Sequence, residues 1–241
     1  MKRTKLGIWS VIEDSLVIET IAAKLDFIIL DLEHGFRDFG VFKANFRSAQ
    51  MYSKEVYVRV RSYDEPWLQA LLDIGVTHFI VPQIRSVQEF QEFVKATSFP
   101  PAGRRGAHPR FDQYLERNDD QLNTHNIKRC LIIETKEAVG LIKDLCQLSS
   151  IDELYLGTYD LSAEFGIDQF SQTEELISLL RPICTVADEY DKPIISMVGN
   201  SKLEEFYSLI KIQGRVIGID DSILSNEVSA IVNRLTSEAG K

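Results

Sequence analysis

The stretch that decides the fold is Asp26-Phe27-Ile28-Ile29-Leu30-Asp31-Leu32-Glu33-His34-Gly35. Its apolar half, rich in Ile and Leu, is typical of a strand buried on both faces, and the stretch ends at two acids, a histidine and a glycine. Because side chains alternate along a strand, Asp31 and Glu33 should point the same way, with His34 just beyond them. We interpret this strand end as a candidate site; the alternative is a set of ordinary loop charges facing solvent.

The composition is that of an acidic globular protein. The 241 residues include 27 Lys and Arg against 36 Asp and Glu, which gives a net charge of -9. This balance disfavours a nucleic-acid backbone or an anionic membrane as partner, and no run reaches the roughly 18 apolar residues of a membrane span. The three widely spaced cysteines form neither a disulfide framework nor a zinc pattern. We expect a cytoplasmic protein that acts on small molecules.

Strand-like and helix-like patterns alternate eight times along the chain. The strand patterns are the quoted stretch and residues 5–9, 56–60, 78–82, 130–134, 154–157, 193–197 and 216–219. Such alternation predicts parallel strands with right-handed crossovers, most simply one (β/α)8 barrel domain over residues 1–241. An open doubly wound sheet is the rival, but Trp9-Ser10-Val11-Ile12 stands where that fold would have a glycine-rich turn. The long irregular stretch from Pro100 to about Lys128 is of the kind that is more often functional than idle.

In such a barrel the carboxyl ends of all strands meet at one rim, where catalytic residues lie. Besides the quoted stretch, these ends carry Trp9, Arg59, Arg61, Glu134 and Asp160. Glu134 and Asp160 could together hold a hard divalent ion such as Mg²⁺ or Mn²⁺. Asp160 could instead be only a helix cap, and either acid could be a salt-bridge partner.

Two further groups at this rim suit proton transfer and charge stabilisation. The imidazole of His34 could move a proton directly or through water, if a carboxylate orients it. Arg59 offers a permanent fork of donors to a carbonyl or enolate oxygen. The alternatives are a structural or surface histidine and an arginine that only pairs with Asp31 or Glu33.

The order and spacing of these motifs resemble the HpcH/HpaI aldolase family over nearly the whole chain. The matching elements are Gly7-Ile8-Trp9, Asp31-x-Glu33-His34-Gly35, Val58-Arg59-Val60, Leu71-Leu72-Asp73-Ile74-Gly75, Val81-Pro82, Phe99-Pro100-Pro101-Ala102-Gly103-x-Arg105-Gly106, Ile133-Glu134-Thr135-x-Glu137-Ala138 and Gly157-x-x-Asp160-Leu161-Ser162. The resemblance implies a (β/α)8 barrel that often exchanges its last helix with a partner, in dimers that build a homo-hexamer. It also implies metal-dependent, class II pyruvate aldolase chemistry.

Carried over residue by residue, the resemblance implies that Glu134 and Asp160 bind the divalent metal, Mg²⁺ or Mn²⁺ with Co²⁺ as a further candidate. Arg59 would stabilise the pyruvate enolate oxygen. His34, with Asp73 supplied by a neighbouring subunit, would be the acid/base that moves the aldol proton.

The remaining residues would have supporting and substrate-binding roles. Asp31 and Glu33 would orient Arg59 and His34, while Trp9 and the turn Gly157-Thr158-Tyr159 would bind substrate, the turn through backbone amides that face the pyruvate carboxylate. The chain departs from the family where Gln is common at position 132 and Pro follows Gly157, since it has Ile132 and Thr158 there. The segment from Ala107 to Lys128 also looks short for the family.

The predicted function is therefore a divalent-metal-dependent carbon–carbon lyase that cleaves a 4-hydroxy-2-oxo acid to pyruvate, or a related 2-oxo acid, and an aldehyde. One alternative is an acyl-CoA ester lyase of the citramalyl or malyl kind, for whose phosphates only Arg104, Arg105 and Arg110 suggest a basic patch. A second is a degenerate barrel that binds a 2-oxo acid or a protein partner without catalysis.

Overall fold

Eight parallel strands close into a barrel in which every strand pairs with its neighbours in sequence, and the last pairs with the first. The computed structural model describes residues 3–106, 127–210 and 212–238. The strands are β1 (Lys5–Ser10), β2 (Phe27–Asp31), β3 (Glu55–Arg59), β4 (His78–Val81), β5 (Lys128–Ile133), β6 (Glu153–Leu156), β7 (Ile194–Met197) and β8 (Gly214–Ile219). The predicted (β/α)8 barrel is confirmed, and the open sheet is excluded.

Helices connect successive strands on the outside of the barrel. They are α1 (Ser15–Ala22), α2 (Phe39–Tyr52), α3 (Leu68–Asp73), α4 (Val87–Thr97), α5 (Lys136–Gly140), α6 (Ile142–Cys146), α7 (Thr158–Phe165), α8 (Thr173–Glu189), α9 (Ser201–Ile210) and α10 (Asp220–Glu238). Side-chain caps fix several starts; Ser86 and Glu89 form a reciprocal capping box at α4. Between β5 and β6 the chain forms two short helices, α5 and α6, that meet at Leu141. Most of the irregular stretch after Pro100, residues 107–126, lies outside the described residues.

The barrel interior is filled by side chains rather than hollow. Alternate residues of the strands point inward, and among them Phe27, Tyr57 and Ile80 are almost fully buried. Gly7 makes room for this layer, because a Cβ there would lie 2.2 Å from the Phe27 ring. A filled barrel has no through channel, so a small-molecule site on the barrel axis can only lie at one end.

A paired polar network occupies the amino-terminal end of the barrel. The Tyr57 hydroxyl donates to Glu153 at 2.8 Å and accepts from the Lys128 ammonium at 2.9 Å. Lys128 also pairs with Glu153 at 2.5 Å, and Lys5 pairs with Glu55 at 2.6 Å. Since these opposite charges satisfy one another, we assign the network a structural role.

The last helix, α10, leaves the barrel instead of packing against it. Apart from Asp220 at its start, all of its described side chains are exposed. Its apolar residues include Ile223, Leu224, Val228, Ile231, Val232 and Leu235, each 39–58% exposed. An unpartnered apolar helix face of this size is unusual on a monomer.

None of the helices within residues 3–106, 127–210 and 212–238 is long and apolar enough to span a membrane.

Candidate active site

The carboxyl ends of the strands surround a cavity of about 350 Å³. Most of the site residues predicted from sequence line it, which brings together side chains from β1, β2, β3, β5 and β6. The lining residues are Trp9, Val11, Asp31, His34, Arg59, Ile132, Glu134, Tyr155, Leu156, Gly157, Thr158, Tyr159, Asp160, Met197 and Ile219.

Arg59 is a buried cation held on three sides. Its Nε donates to Asp31 at 2.8 Å, a terminal nitrogen lies 2.8 Å from a Glu33 carboxylate oxygen, and the guanidinium stacks 4.5 Å from the centre of the Trp9 ring. Burial by itself would lower the pKa of Arg59, but the hydrogen bond and the charges of Asp31 and Glu33 outweigh it and raise the pKa. The guanidinium is therefore a fixed positive charge in the cavity wall. Glu33 contacts the guanidinium but does not line the cavity.

The loop after β2 is shaped by Asp31 and Gly35. Asp31 Oδ1 accepts the backbone N–H groups of Glu33 at 2.9 Å and His34 at 3.4 Å. A Cβ at position 35 would lie 2.6 Å from the Asp31 carbonyl oxygen, so the turn requires glycine. His34 is exposed at the cavity mouth. Asp31 thus holds the backbone that carries His34, and the imidazole has no hydrogen-bond partner within the described residues of this chain.

Glu134 is a buried carboxylate at the end of β5, only 2% exposed. Its Oε1 accepts the backbone N–H of Gln83 at 2.6 Å, from a loop residue with a φ of 57°. Gly157 makes room for it, because a Cβ there would lie 2.8 Å from the Glu134 Cβ. Burial, together with the negative charges of Asp160 and Glu33, raises the pKa of Glu134 to about 7 despite the Gln83 hydrogen bond and Arg59.

Asp160 faces the same cavity from the first turn of α7. It is not the helix cap, because the capping position is Gly157 and no side chain caps this helix. Its charge contributes to the raised pKa of Glu134, an effect that a cation between the two carboxylates would remove. Carboxylate oxygens are the donors that Mg²⁺ and Mn²⁺ prefer. In the described parts of the chain no group of three or more His, Cys, Asp or Glu forms a metal cluster, so further coordination positions would fall to water and substrate.

The start of α7 presents backbone donors to the cavity. Leu161 is the first residue of this helix whose N–H bonds within it, to the Gly157 carbonyl at 2.9 Å. The N–H groups of Thr158, Tyr159 and Asp160 therefore have no helical acceptor. Such a helix start favours an anion. Thr158 is buried, while the Tyr159 ring is 71% exposed at the rim.

A family model for HpcH/HpaI aldolase/citrate lyase matches residues 5–206 of this chain. The chain belongs to this family. Its fold and its cavity agree with that membership, and the chain is a lyase of the aldolase type.

Relatives of the family cover almost the whole chain. The 4-hydroxy-2-oxo-heptane-1,7-dioate aldolase of Escherichia coli is 25% identical over 249 residues, which span 98% of this chain and 92% of the relative. The solved structure of the citrate synthase SbnG shares the fold with a TM-score of 0.86 at 24% identity, over 99% of this chain and 95% of that one. A citrate lyase beta subunit from M. tuberculosis, complexed with oxaloacetate and magnesium, has a TM-score of 0.59 at 14% identity, over 90% and 91% of the two chains.

Besides Glu33, the strand-end and family residues Asp73 and Arg61 lie outside this cavity. Asp73 is exposed at the end of α3 and accepts a hydrogen bond from the Gln69 amide at 2.7 Å. Arg61 pairs with Glu65 at 2.6 Å and stacks on Trp67. The single chain therefore does not bring Asp73 to His34, and the role of Asp73 stays a prediction about a neighbouring subunit.

The basic patch considered for a CoA ester is not formed by the described residues. Arg104 pairs with Glu92, and Arg105 is buried with its guanidinium over the Phe99 ring. Arg110 lies outside the described residues. The described arginines of this patch thus give no support to the acyl-CoA alternative.

Sequence reasoning missed Tyr155 and Asp220. Tyr155 lines the cavity two residues before Gly157, so strand alternation from Gly157 could have found it. Asp220 accepts the Ser10 hydroxyl at 2.7 Å and the Val11 N–H at 3.0 Å, which ties the end of β1 to the start of α10. This contact joins residues 210 positions apart, and no local pattern signals it.

Proposed function

We propose that this chain is a divalent-metal-dependent aldolase that cleaves a 4-hydroxy-2-oxo acid to pyruvate, or a related 2-oxo acid, and an aldehyde. The observation that carries the proposal is the cavity itself, in which the fixed guanidinium of Arg59 faces the carboxylate pair Glu134 and Asp160. Cleavage next to a 2-oxo group develops negative charge on the keto oxygen, and this cavity offers that charge cationic partners. The aldolase relatives support the same substrate class.

Glu134 and Asp160 would hold the metal, Mg²⁺ or Mn²⁺ with Co²⁺ as a further candidate. The raised pKa of Glu134, caused first by burial and then by its acidic neighbours, fits a carboxylate whose charge a bound cation would stabilise. A distant structural relative in complex with oxaloacetate and magnesium supports a hard divalent ion. When bound, such an ion supplies Lewis-acid stabilisation of the 2-oxo acid oxygens.

The protein groups divide the remaining work. Arg59 would donate to the keto oxygen that becomes the enolate oxygen, and Asp31 and Glu33 hold it in place beforehand. The free N–H groups at the start of α7 would bind the substrate carboxylate. His34, at the cavity mouth, would take the proton from the 4-hydroxyl directly or through water as the carbon–carbon bond breaks, with Asp73 of a neighbouring subunit as its partner.

Two measurements test this proposal. Folded protein should release pyruvate from 4-hydroxy-2-oxo acids in the presence of Mg²⁺ or Mn²⁺ and lose that activity when the metal is chelated. Calorimetry should show one divalent ion per chain, lost in Glu134→Gln and Asp160→Asn but kept in His34→Ala. Absence of turnover with every hydroxy-oxo acid tried, in protein that binds metal, would refute it.

We also propose that α10 is exchanged between subunits in dimers that build a hexamer. The exposed apolar row on α10 supports this, as do Leu6 on β1 and Ile217 on β8, which are 38% and 42% exposed where a last helix would otherwise pack.

The cytoplasmic location stays a prediction; it is compatible with Cys130, Cys146 and Cys184, all of which are buried free thiols.

A further inference from the structure

Tyr155 forms part of the cavity floor. Its side chain points from β6 into the upper barrel, is 4% exposed, and lines the cavity together with Trp9. The Trp9 Nε1–H donates to the Tyr155 hydroxyl oxygen at 2.8 Å, and the two rings meet edge to face with centroids 5.4 Å apart. The hydroxyl is therefore held in one place from one side.

The direction of this hydrogen bond determines what Tyr155 can still do. An indole N–H can only donate, so the tyrosine oxygen must accept, and its own proton must point elsewhere. Within the described residues that proton has no acceptor. Burial raises the pKa of Tyr155 well above its ordinary value, so the group remains a donor at any working pH.

Two other buried tyrosines show that this arrangement is particular to the cavity floor. Tyr57 both accepts from Lys128 and donates to Glu153. Tyr207 shares a hydrogen bond of 2.6 Å with Ser196, whose own hydroxyl can donate to the Leu156 carbonyl. Tyr57 and Tyr207 thus have partners for their protons inside the protein.

The surroundings of Tyr155 make a ligand oxygen the natural partner. On the floor it lies near Ile132 and Met197, which offer no hydrogen-bonding oxygen or nitrogen in their side chains. The nearby Arg59 guanidinium carries only donors, so it cannot accept the Tyr155 proton. A buried donor that lacks an acceptor is costly, and an oxygen of a bound molecule would satisfy it.

We propose that Tyr155 is a substrate-binding residue that donates its O–H to an oxygen of the bound 2-oxo acid, and that Trp9 is the positioning residue that aims it. The identity of the ligand rests on the proposed function. The donor supplies a polar contact at the floor of a cavity where Ile132 contributes none.

The experiment compares Tyr155→Phe with Tyr207→Phe, each of which removes one buried hydroxyl. Pyruvate affinity of the Mn²⁺-loaded protein is measured by calorimetry, and pyruvate KM and kcat in the synthetic direction are measured with one aldehyde. Tyr155→Phe should weaken pyruvate binding and raise the KM for pyruvate about tenfold, because one hydrogen bond to a charged ligand is lost. Mn²⁺ affinity and the unfolding midpoint should change no more than in Tyr207→Phe, which should bind pyruvate like the wild type.

The variant Trp9→Phe tests whether Trp9 positions the Tyr155 hydroxyl, separately from the contact that Tyr155 itself makes with the ligand. It keeps an aromatic face for Arg59 but removes the N–H, so pyruvate affinity should fall in the same direction by roughly threefold. Wild-type affinity for pyruvate in Tyr155→Phe, or a loss of Mn²⁺ binding in that variant, would overturn the inference while leaving the aldolase proposal standing. A wild-type protein that neither binds nor releases pyruvate would overturn both.

Discussion

Arg59 is the residue whose chemistry this site can least replace. Its fork of donors meets Asp31 and Glu33 at once, which a lysine ammonium cannot do. We therefore expect Arg59→Lys to lower kcat about 100-fold, since the ammonium keeps the positive charge but loses the fixed fork of donors at the developing enolate. Calorimetry should still detect metal binding, because Glu134 and Asp160 are unchanged.

A matched arginine lies two residues further along the chain. Arg61 pairs with Glu65 and stacks on Trp67 outside the cavity, so Arg61→Lys should retain wild-type kcat. Equal activity of the two variants would show that the guanidinium of Arg59 serves stability alone, which is the alternative the sequence had left open.

At the residue scale, the sequence could predict those side chains that stand at strand ends. Asp31, Arg59, Glu134 and Asp160 required only the knowledge that parallel strands in a barrel share one rim. Alternation from Gly157 could have placed Tyr155 in the cavity wall, but its role could not be predicted, because that role depends on a hydrogen bond to Trp9, 146 positions away. Contacts of this length depend on barrel register, which no local pattern encodes.

At the scale of elements, charged side chains from the four strands β1, β3, β5 and β6 meet at the amino-terminal end of the barrel, and His78 on β4 lies among them. Its ring packs edge to face against Tyr57, with centroids 5.0 Å apart. Burial, followed by the charge of Lys128, lowers the pKa of His78 from 6.5 to about 4. The folded state thus favours the neutral ring.

The lowered pKa of His78 determines how the stability of the protein depends on pH. Between pH 6.5 and pH 4 the unfolded chain takes up a proton that the folded chain refuses, so stability is complete above about pH 6.5 and declines as the pH falls towards 4. We expect the free energy of unfolding to drop by about 2 kcal/mol more in the wild type than in His78→Gln between pH 7 and pH 5. Urea titrations at both values measure it, and parallel losses in the two proteins would contradict it.

Helices and strands could be predicted where the periodicity of apolar residues defines them. They could not be predicted where contacts with other parts of the protein determine their length or direction. The alternation of patterns placed all eight strands, but the break at Leu141 between α5 and α6 was not visible in it. The course of α10 was equally hidden, because an apolar stripe is the same whether it packs on its own barrel or on another chain. The structure shows the stripe exposed.

At the scale of the whole molecule, one chain supplies an incomplete version of the site that the family resemblance implies. His34 stands at the cavity mouth without a hydrogen-bond partner among the described residues of its own chain, and Asp73 is exposed at the end of α3. The exposed row on α10 offers the means of assembly. These observations together support a site completed across a subunit interface.

Subunit complementation tests this directly. His34→Ala and Asp73→Ala should each be inactive as pure proteins, yet their equimolar co-expression should restore about a quarter of the wild-type activity, because a site is complete only where an intact His34 meets a neighbour's intact Asp73. Co-expression of His34→Ala with Glu134→Gln is the matched control. Both of those residues line the cavity of the same chain, so no hybrid site would be complete and no activity should return. If the first pair also fails to recover, while co-purification through a tag carried by only one variant shows that mixed oligomers have formed, Asp73 does not act across the interface.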